Sequence, residues 1–185
     1  MSLKHGLLGL LNYGPMTGYE LHKAFEASLG FFWQATQSQV YRELNAMEQG
    51  GFLSSERVIQ EERPNKRVYS ITDAGRSELM QWLSSPGTDI DNALNVRSAF
   101  LMRIFFAGEV DSNAVISMLR EYREKCAEGL RGLGGVPNSI AEYGELIDDE
   151  SKMQYWKITA LYGEEFYRVG MLWAEKAITL LEGSV

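Results

Sequence analysis

The side chains best suited to chemistry in this sequence lie in one short stretch, residues 36–49. Arginine can donate two hydrogen bonds to guanine, asparagine and glutamine can pair with adenine, and serine can bond either base. The stretch carries all four residue types on the sides facing away from an apolar line, Val40, Leu44 and Met47. The side chains that we predict to read base edges are Gln37, Ser38, Gln39, Tyr41, Arg42 and Asn45.

The element that must hold these side chains is a short helix with a defined start and end. Thr36 and Gln39 have the spacing of a capping box, and Gly50-Gly51 supplies a stop signal. An ordinary amphipathic helix with a solvated polar face is the commoner reading of such a stretch alone. The residues on either side of the helix favour DNA recognition instead.

Two shorter helices precede this one, and a β-hairpin follows it. Leucines at helical spacing open the chain, and Thr17 with Glu20 forms a second capping box. Residues 52–59 and 67–71 are β-rich and flank a polar turn. Three helices followed by a hairpin predict a winged helix-turn-helix. The cations that we expect the wing to offer to DNA phosphates are Arg63, Lys66 and Arg67.

A turn-rich break separates this region from a helical second half. We predict a DNA-binding domain at 1–84, a linker at 85–92 and a helical dimerisation domain at 93–185. Residues 93–107 are densely apolar and predict a helix that is buried on most sides. The overall fold class is therefore mainly α, with a small β-hairpin wing.

The final helix, predicted from about Ser151 to Glu182, carries two apolar lines. One follows heptad spacing and includes glycines and alanines that allow another backbone to approach. The second contains Ile158, Tyr162, Phe166 and Val169. Two apolar lines favour self-association, and the alternative is that both are buried within one chain. The side chains that we predict to dimerise the protein are Trp156, Ala160, Gly163, Tyr167, Gly170, Trp173, Ala174, Ala177 and Leu181.

Composition limits the other classes of function. The chain has 185 residues, is 45% hydrophobic and carries a net charge of −7. Residues 1–84 hold eight Lys/Arg and nine Asp/Glu, so the acidity belongs mostly to the second half. We find no membrane span, leader, metal-ligand cluster, cofactor motif or catalytic motif, and Cys126 is the single cysteine. We expect a cytoplasmic protein that is not an enzyme and needs no cofactor or metal.

Five motifs together resemble the PadR family of winged-helix transcriptional regulators. They are residues 7–11 (LLGLL), 14–21 (GPMTGYEL), 38–44 (SQVYREL), 48–53 (EQGGFL) and 66–75 (KRVYSITDAG). The resemblance implies a dimeric regulator with its third helix in the major groove and its wing on the backbone or minor groove. It implies DNA-facing positions at Ser38, Gln39, Tyr41, Arg42 and Asn45, with Lys66 and Arg67 on the wing.

The second half resembles, more weakly, the C-terminal domain of the virulence-activator-like (AphA-like) branch, which implies that it dimerises the protein. We therefore expect a homodimeric repressor that binds double-stranded DNA. Two alternatives stay open. One is a winged helix that binds proteins and not DNA. The other is a regulator that senses a small aromatic effector in an aromatic pocket near the dimer interface.

Overall fold

The structure is a computed structural model that describes residues 2–30, 32–59, 65–85, 93, 97–136, 140 and 150–183. The chain separates into two compact units, Met1–Asn92 and Ala93–Val185. The expected linker lies almost wholly outside the described residues, as does the wing cation Arg63.

Four helices form most of the first unit: α1 (Ser2–Leu11), α2 (Gly18–Leu29), α3 (Gln37–Gln49) and α4 (Asp73–Ser84). Capping boxes open α2 and α3 because Thr17 pairs with Glu20 and Thr36 pairs with Gln39. Each box satisfies two backbone N–H groups that the first helical turn leaves without partners. The predicted starts of both helices are therefore confirmed.

A three-stranded antiparallel sheet completes the first unit. Its strands are β1 (Met16–Thr17), β2 (Leu53–Val58) and β3 (Lys66–Ile71), in the order β1-β3-β2. The pair β2–β3 is the predicted hairpin, with Leu53 opposite Ile71 and Val58 opposite Lys66. The sequence did not predict β1, because two residues are too short to show an alternating pattern.

The core of the first unit lies between the three N-terminal helices and the sheet. The inner line of α3, formed by Val40, Leu44 and Met47, is buried there. Gly51 has φ of 75°, a value that glycine adopts without strain, and it turns the chain from α3 into β2. These contacts fix the axis of α3 and leave its opposite side outside the core.

Among the described residues of the second unit are helices α5 (Ala99–Phe105), α6 (Ser112–Gly132) and α7 (Glu150–Glu182), with 3₁₀ turns at Ala107–Glu109 and Leu133–Gly135. The helix predicted over 93–107 is not continuous, because Arg97 and Ser98 are not helical. The Ser98 hydroxyl accepts a hydrogen bond from the Leu101 N–H, so Ser98 caps α5 and the helix begins at Ala99.

Helices α6 and α7 pack closely along small residues. A side chain at Gly129 would collide with the Tyr167 ring, and a Cβ at Gly170 would lie 2.8 Å from the Cys126 sulfur. Val115, Ile116, Leu119 and Ile178 form the buried cluster of this unit. None of the helices in the described ranges combines the length and the apolar character needed to cross a lipid bilayer.

Candidate nucleic-acid interface

One side of α3 carries four exposed polar side chains: Ser38, Arg42, Asn45 and Gln49. Steps of three and four residues put them in a row directly opposite the buried line of the helix. Three of the four were predicted to read base edges, and Gln49 extends the row by one turn. We call this row the outer face of α3. Its side chains offer the donors and acceptors that base edges require.

Arg42 is the only cation on this outer face. Within the part of the chain that the structure describes, its guanidinium makes no ion pair and no hydrogen bond. An unpaired guanidinium keeps its five N–H donors for a ligand. Arg42 can therefore meet guanine or a phosphate without first breaking an internal contact.

Two other predicted residues of α3 are already used within the chain. The Gln39 side-chain oxygen accepts hydrogen bonds from the Thr36 N–H at 2.8 Å and from the Thr36 hydroxyl at 3.1 Å. Tyr41 packs over Gly18, where an added Cβ would lie 2.6 Å from the tyrosine ring. Glycine at position 18 thus permits the contact between α3 and the start of α2. Both side chains still remain exposed, as does Gln37 at the first position of α3.

The wing cations differ in position and in pairing. Alternation along β3 puts Lys66 and Arg67 on opposite faces of the sheet. The Arg67 guanidinium forms an ion pair with Glu48, with Nη2 2.6 Å from Oε2.

Lys66 lies near the carboxyl group of Glu20. Hydrogen bonds from the Thr17 N–H and hydroxyl lower the pKa of the Glu20 carboxyl, and the Lys66 charge adds to that effect.

Sequence reasoning did not include one exposed cation of the wing, Arg57. It lies directly opposite Arg67 in the hairpin register and therefore on the same face of the sheet. The symmetry of the hairpin around its polar turn would have revealed this pair. Arg57 and Lys66 are the wing cations that form no ion pair within the described ranges.

The residues predicted for dimerisation lie mostly against α6 of the same chain. Gly163, Gly170 and Ala174 are buried, and Tyr167 covers Gly129. Trp173 packs edge-on against Phe100 and Tyr122. The heptad line is therefore covered within one chain, because the glycines and alanines that admit a neighbouring backbone admit α6. Trp156, Ala160, Ala177 and Leu181 are half-buried on this side of the helix.

The second apolar line of α7 is exposed. We call it the outer face of α7, and we define it as Tyr155, Ile158, Tyr162, Phe166, Val169 and Leu180, each 56–71% accessible. Helix α5 adds Met102 and Phe105, which are 65% and 81% accessible. The expectation that the 93–107 segment is buried on most sides is therefore wrong for a single chain.

Several aromatic side chains of the second unit pack against one another. Phe100 stacks on Tyr122 with ring centroids 4.9 Å apart, and Trp173 meets both rings edge-on. A cleft of about 160 Å³ does lie in the first unit, where Asn12, Pro15, Ser70 and Arg76 line it. The Arg76 guanidinium donates a 2.6 Å hydrogen bond to the Asn12 side-chain oxygen at this cleft.

Comparison with known proteins gives matches over both units. A model of the transcriptional regulator PadR-like family matches residues 7–81, and a model of the virulence activator alpha C-terminal region matches residues 96–182. A probable transcriptional regulator of Mycobacterium tuberculosis is 43% identical over 86 residues, which is 46% of each chain. The negative transcriptional regulator PadR of Bacillus subtilis is 30% identical over 183 residues, which is 97% of each chain.

A solved structure matches as well. The crystal structure of Bacillus subtilis PadR in complex with operator DNA superposes with a TM-score of 0.79 and 26% identity, and the match covers 98% of this chain and 99% of that chain. The predicted fold class, mainly helical with a winged helix-turn-helix, is confirmed by this match.

Proposed function

Since this chain belongs to the PadR-like family of transcriptional regulators, we propose that it is a homodimeric repressor that reads a specific DNA sequence. Helix α3 enters the major groove, and the wing lies on the sugar-phosphate backbone. Residues 1–84 bind DNA, residues 85–92 connect, and residues 93–185 dimerise. We propose further that it acts in the cytoplasm and works by occupying DNA, without catalysis.

One observation carries the proposal more than any other: the outer face of α3 is polar and exposed, while its inner line is fixed in the core. A helix held in this way presents Ser38, Arg42 and Asn45 without needing a further protein surface. The solved relative bound to operator DNA has the same fold over nearly its whole length. Both facts support direct reading of bases by α3.

The acidity of the chain shapes how it binds. The net charge of −7 disfavours a broad electrostatic attraction to DNA. Phosphate contacts then rest on a few placed cations, which include Arg57, Arg63 and Lys66 of the wing. Each phosphate that a protein neutralises makes the fall of log affinity with log salt concentration steeper by about 0.9. We therefore expect a shallow salt dependence and an affinity that owes much to base contacts.

We assign repression, as opposed to activation, from the relative that covers 97% of both chains and is named a negative transcriptional regulator. A repressor needs only to occupy its operator. The C-terminal model is named after a virulence activator, so regulation in the other direction is the competing assignment. Transcription from an operator-bearing promoter, with and without the protein, distinguishes the two.

Dimerisation rests on the exposed outer face of α7 and on the exposed part of α5. Monomeric proteins rarely expose contiguous apolar patches of this kind. A second copy of the chain can cover both surfaces by a two-fold contact. The two α3 helices then meet successive major grooves, about 34 Å apart.

The effector-sensing alternative places its pocket near the dimer interface, where a second chain would complete the lining, and quenching of tryptophan fluorescence by phenolic compounds tests it. The protein-interaction alternative makes a different prediction from ours. It expects no preference among duplexes, whereas a sequence reader enriches a common site.

Selection of genomic fragments by the purified full-length chain tests the proposal. We expect a two-fold symmetric site to be enriched, with half-sites separated by about one helical turn. Gel shifts with that site should persist in excess non-specific duplex. Recovery of unrelated fragments, or loss of every shift to competitor, would contradict sequence-specific binding.

A further inference from the structure

Three side chains from three elements meet where α3 joins the wing. Glu48 lies in the last turn of α3. Arg67 of β3 donates from Nη2 to both of its carboxylate oxygens, at 2.8 Å to Oε1 and 2.6 Å to Oε2. Its Nε donates to the Ser55 hydroxyl of β2 at 2.6 Å. The Ser55 hydroxyl donates in turn to Glu48 Oε1 at 2.6 Å. Each side chain thus contacts the other two, so we call Glu48, Ser55 and Arg67 the clasp.

The surroundings of the clasp restrict its movement. The Arg67 guanidinium carbon lies 5.4 Å from the centroid of the Tyr69 ring, and Tyr69 is only 3% exposed. The Glu48 side chain is 26% exposed and that of Arg67 is 49% exposed. Charge-assisted bonds are shorter and stronger than neutral ones, and donors in a planar fork give them a defined direction. The clasp therefore joins the wing to the end of α3 with one defined geometry.

The charge of Arg67 is also committed to the protein. Glu48 neutralises it, and the carboxylate also offsets the repulsion between Arg67 and Arg57, which oppose each other across the hairpin. An arginine paired in this way offers little net charge to a phosphate. The sequence had predicted instead that Arg67 contacts a DNA phosphate.

We propose that Glu48, Ser55 and Arg67 act as a positioning clasp: without touching DNA, they set the angle between the wing and α3, so that Arg57 and Lys66 meet the backbone while α3 lies in the groove. The inference rests on the proposed function and adds a role to it. Arg67 is a positioning residue and Lys66 is a contact residue, although they are neighbours in sequence.

The competing view is that Arg67 binds a phosphate and only rests on Glu48 in the free protein. The two views predict opposite results for Glu48→Ala. If Arg67 is a contact, removal of Glu48 frees its charge, tightens binding and steepens the salt slope by about 0.9. If the clasp positions the wing, the same change weakens binding and makes the slope shallower, because Arg57 and Lys66 no longer meet their phosphates. Alanine is a strong helix former, so α3 should remain folded.

The experiment uses the full-length chain and the selected operator in gel shifts over a series of salt concentrations. We expect Glu48→Ala and Arg67→Ala each to lose about tenfold in affinity, within the range seen for networks of charged side chains. The double variant should be no weaker than either single variant, because both remove the same clasp. Lys66→Ala is the matched control, and it should lower the salt slope by about one unit.

Hydroxyl-radical footprints and thermal unfolding separate positioning from simple stability. At a temperature where all variants are folded, the clasp variants should lose backbone protection at the flank under the wing and keep it around α3. Tighter binding by Glu48→Ala, or an additional loss on adding Arg67→Ala to it, would contradict the positioning role of the clasp and leave the proposed function standing. Failure of the wild-type chain to bind any duplex would instead contradict the proposed function.

Discussion

Helices α3 and α7 both repeat their buried residues at helical spacing, yet their outer faces differ in chemistry. Both bury one side within the chain: Val40, Leu44 and Met47 in α3, and Gly170, Ala174 and Ile178 in α7. The outer face of α3 is polar, whereas that of α7 is apolar. The inner face thus determines where each helix packs, and the outer face determines what kind of partner it meets.

The two outer faces imply different energetics. Burial of a large apolar side chain contributes about 1.5–3 kcal/mol, so an exposed apolar row favours a second protein surface. A polar row gains nothing from apolar burial, but it gains hydrogen bonds and counterion release on DNA. The following predictions test this contrast, beginning with the largest expected effect.

The inner faces should be alike in energy. Leu44→Ala in α3 and Ile178→Ala in α7 should each lower the free energy of unfolding by about 2–5 kcal/mol, because each leaves a cavity in a packed core. Urea unfolding at fixed protein concentration measures both. Leu83→Ala, at a position that is 59% exposed, is the control and should cost less than about 0.5 kcal/mol. An inner-face variant that behaves like this control would break the comparison.

The outer face of α7 should govern assembly. Phe166→Asp puts a charge where a second chain would cover an apolar surface, so the dimer should weaken by about 2 kcal/mol or more, roughly thirtyfold in Kd. Sedimentation velocity over a concentration series measures this change. Lys157→Asp, on the polar side of the same helix, should leave assembly unchanged. An unaltered dimer in Phe166→Asp would place the interface elsewhere.

The outer face of α3 should govern sequence recognition. Arg42→Ala should weaken operator binding by about 1–3 kcal/mol and relax the preference for one base pair, because a bidentate contact to guanine is lost. Competition gel shifts with single-base operator variants measure both effects. Arg120→Ala removes a cation of the second unit, whose partner is Glu182, and should leave binding unchanged. Equal weakening on every sequence would make Arg42 a phosphate contact.

The smallest expected effect on the free energy of unfolding is that of Glu20→Gln, at the start of α2, where β1 and Tyr41 pack. Hydrogen bonds from Thr17 lower the pKa of Glu20, so the carboxylate stabilises the folded state above its ordinary pKa of 4.5. That contribution is lost as the pH falls through the lowered pKa. Gln keeps the capping geometry, so Glu20→Gln should cost only about 0.5 kcal/mol at pH 7. Unfolding at pH 7 and pH 3 should show the difference shrinking at the lower pH; a constant difference would contradict it.

Much of the fold and some of the site follow from local sequence. The capping boxes at Thr17 and Thr36 and the stop at Gly50-Gly51 act over three or four residues, so their patterns predict helix bounds directly. The cap at Ser98 was not predicted, because apolar content without spacing does not locate a cap. The exposed row on α3 was predicted, since burial of one side of a helix defines the other.

The amino-acid sequence by itself therefore determined the helix caps and the polar row of α3, which depend on neighbours within one or two turns, and the two β-rich runs of the wing, which show in their composition. Only the tertiary structure decided which apolar line of α7 is covered within the chain and which wing cation is paired. Gly170 meets Cys126, and Arg67 meets Glu48 19 residues away. Such partners are chosen by packing and strand register, which bring distant residues together and which no local spacing specifies.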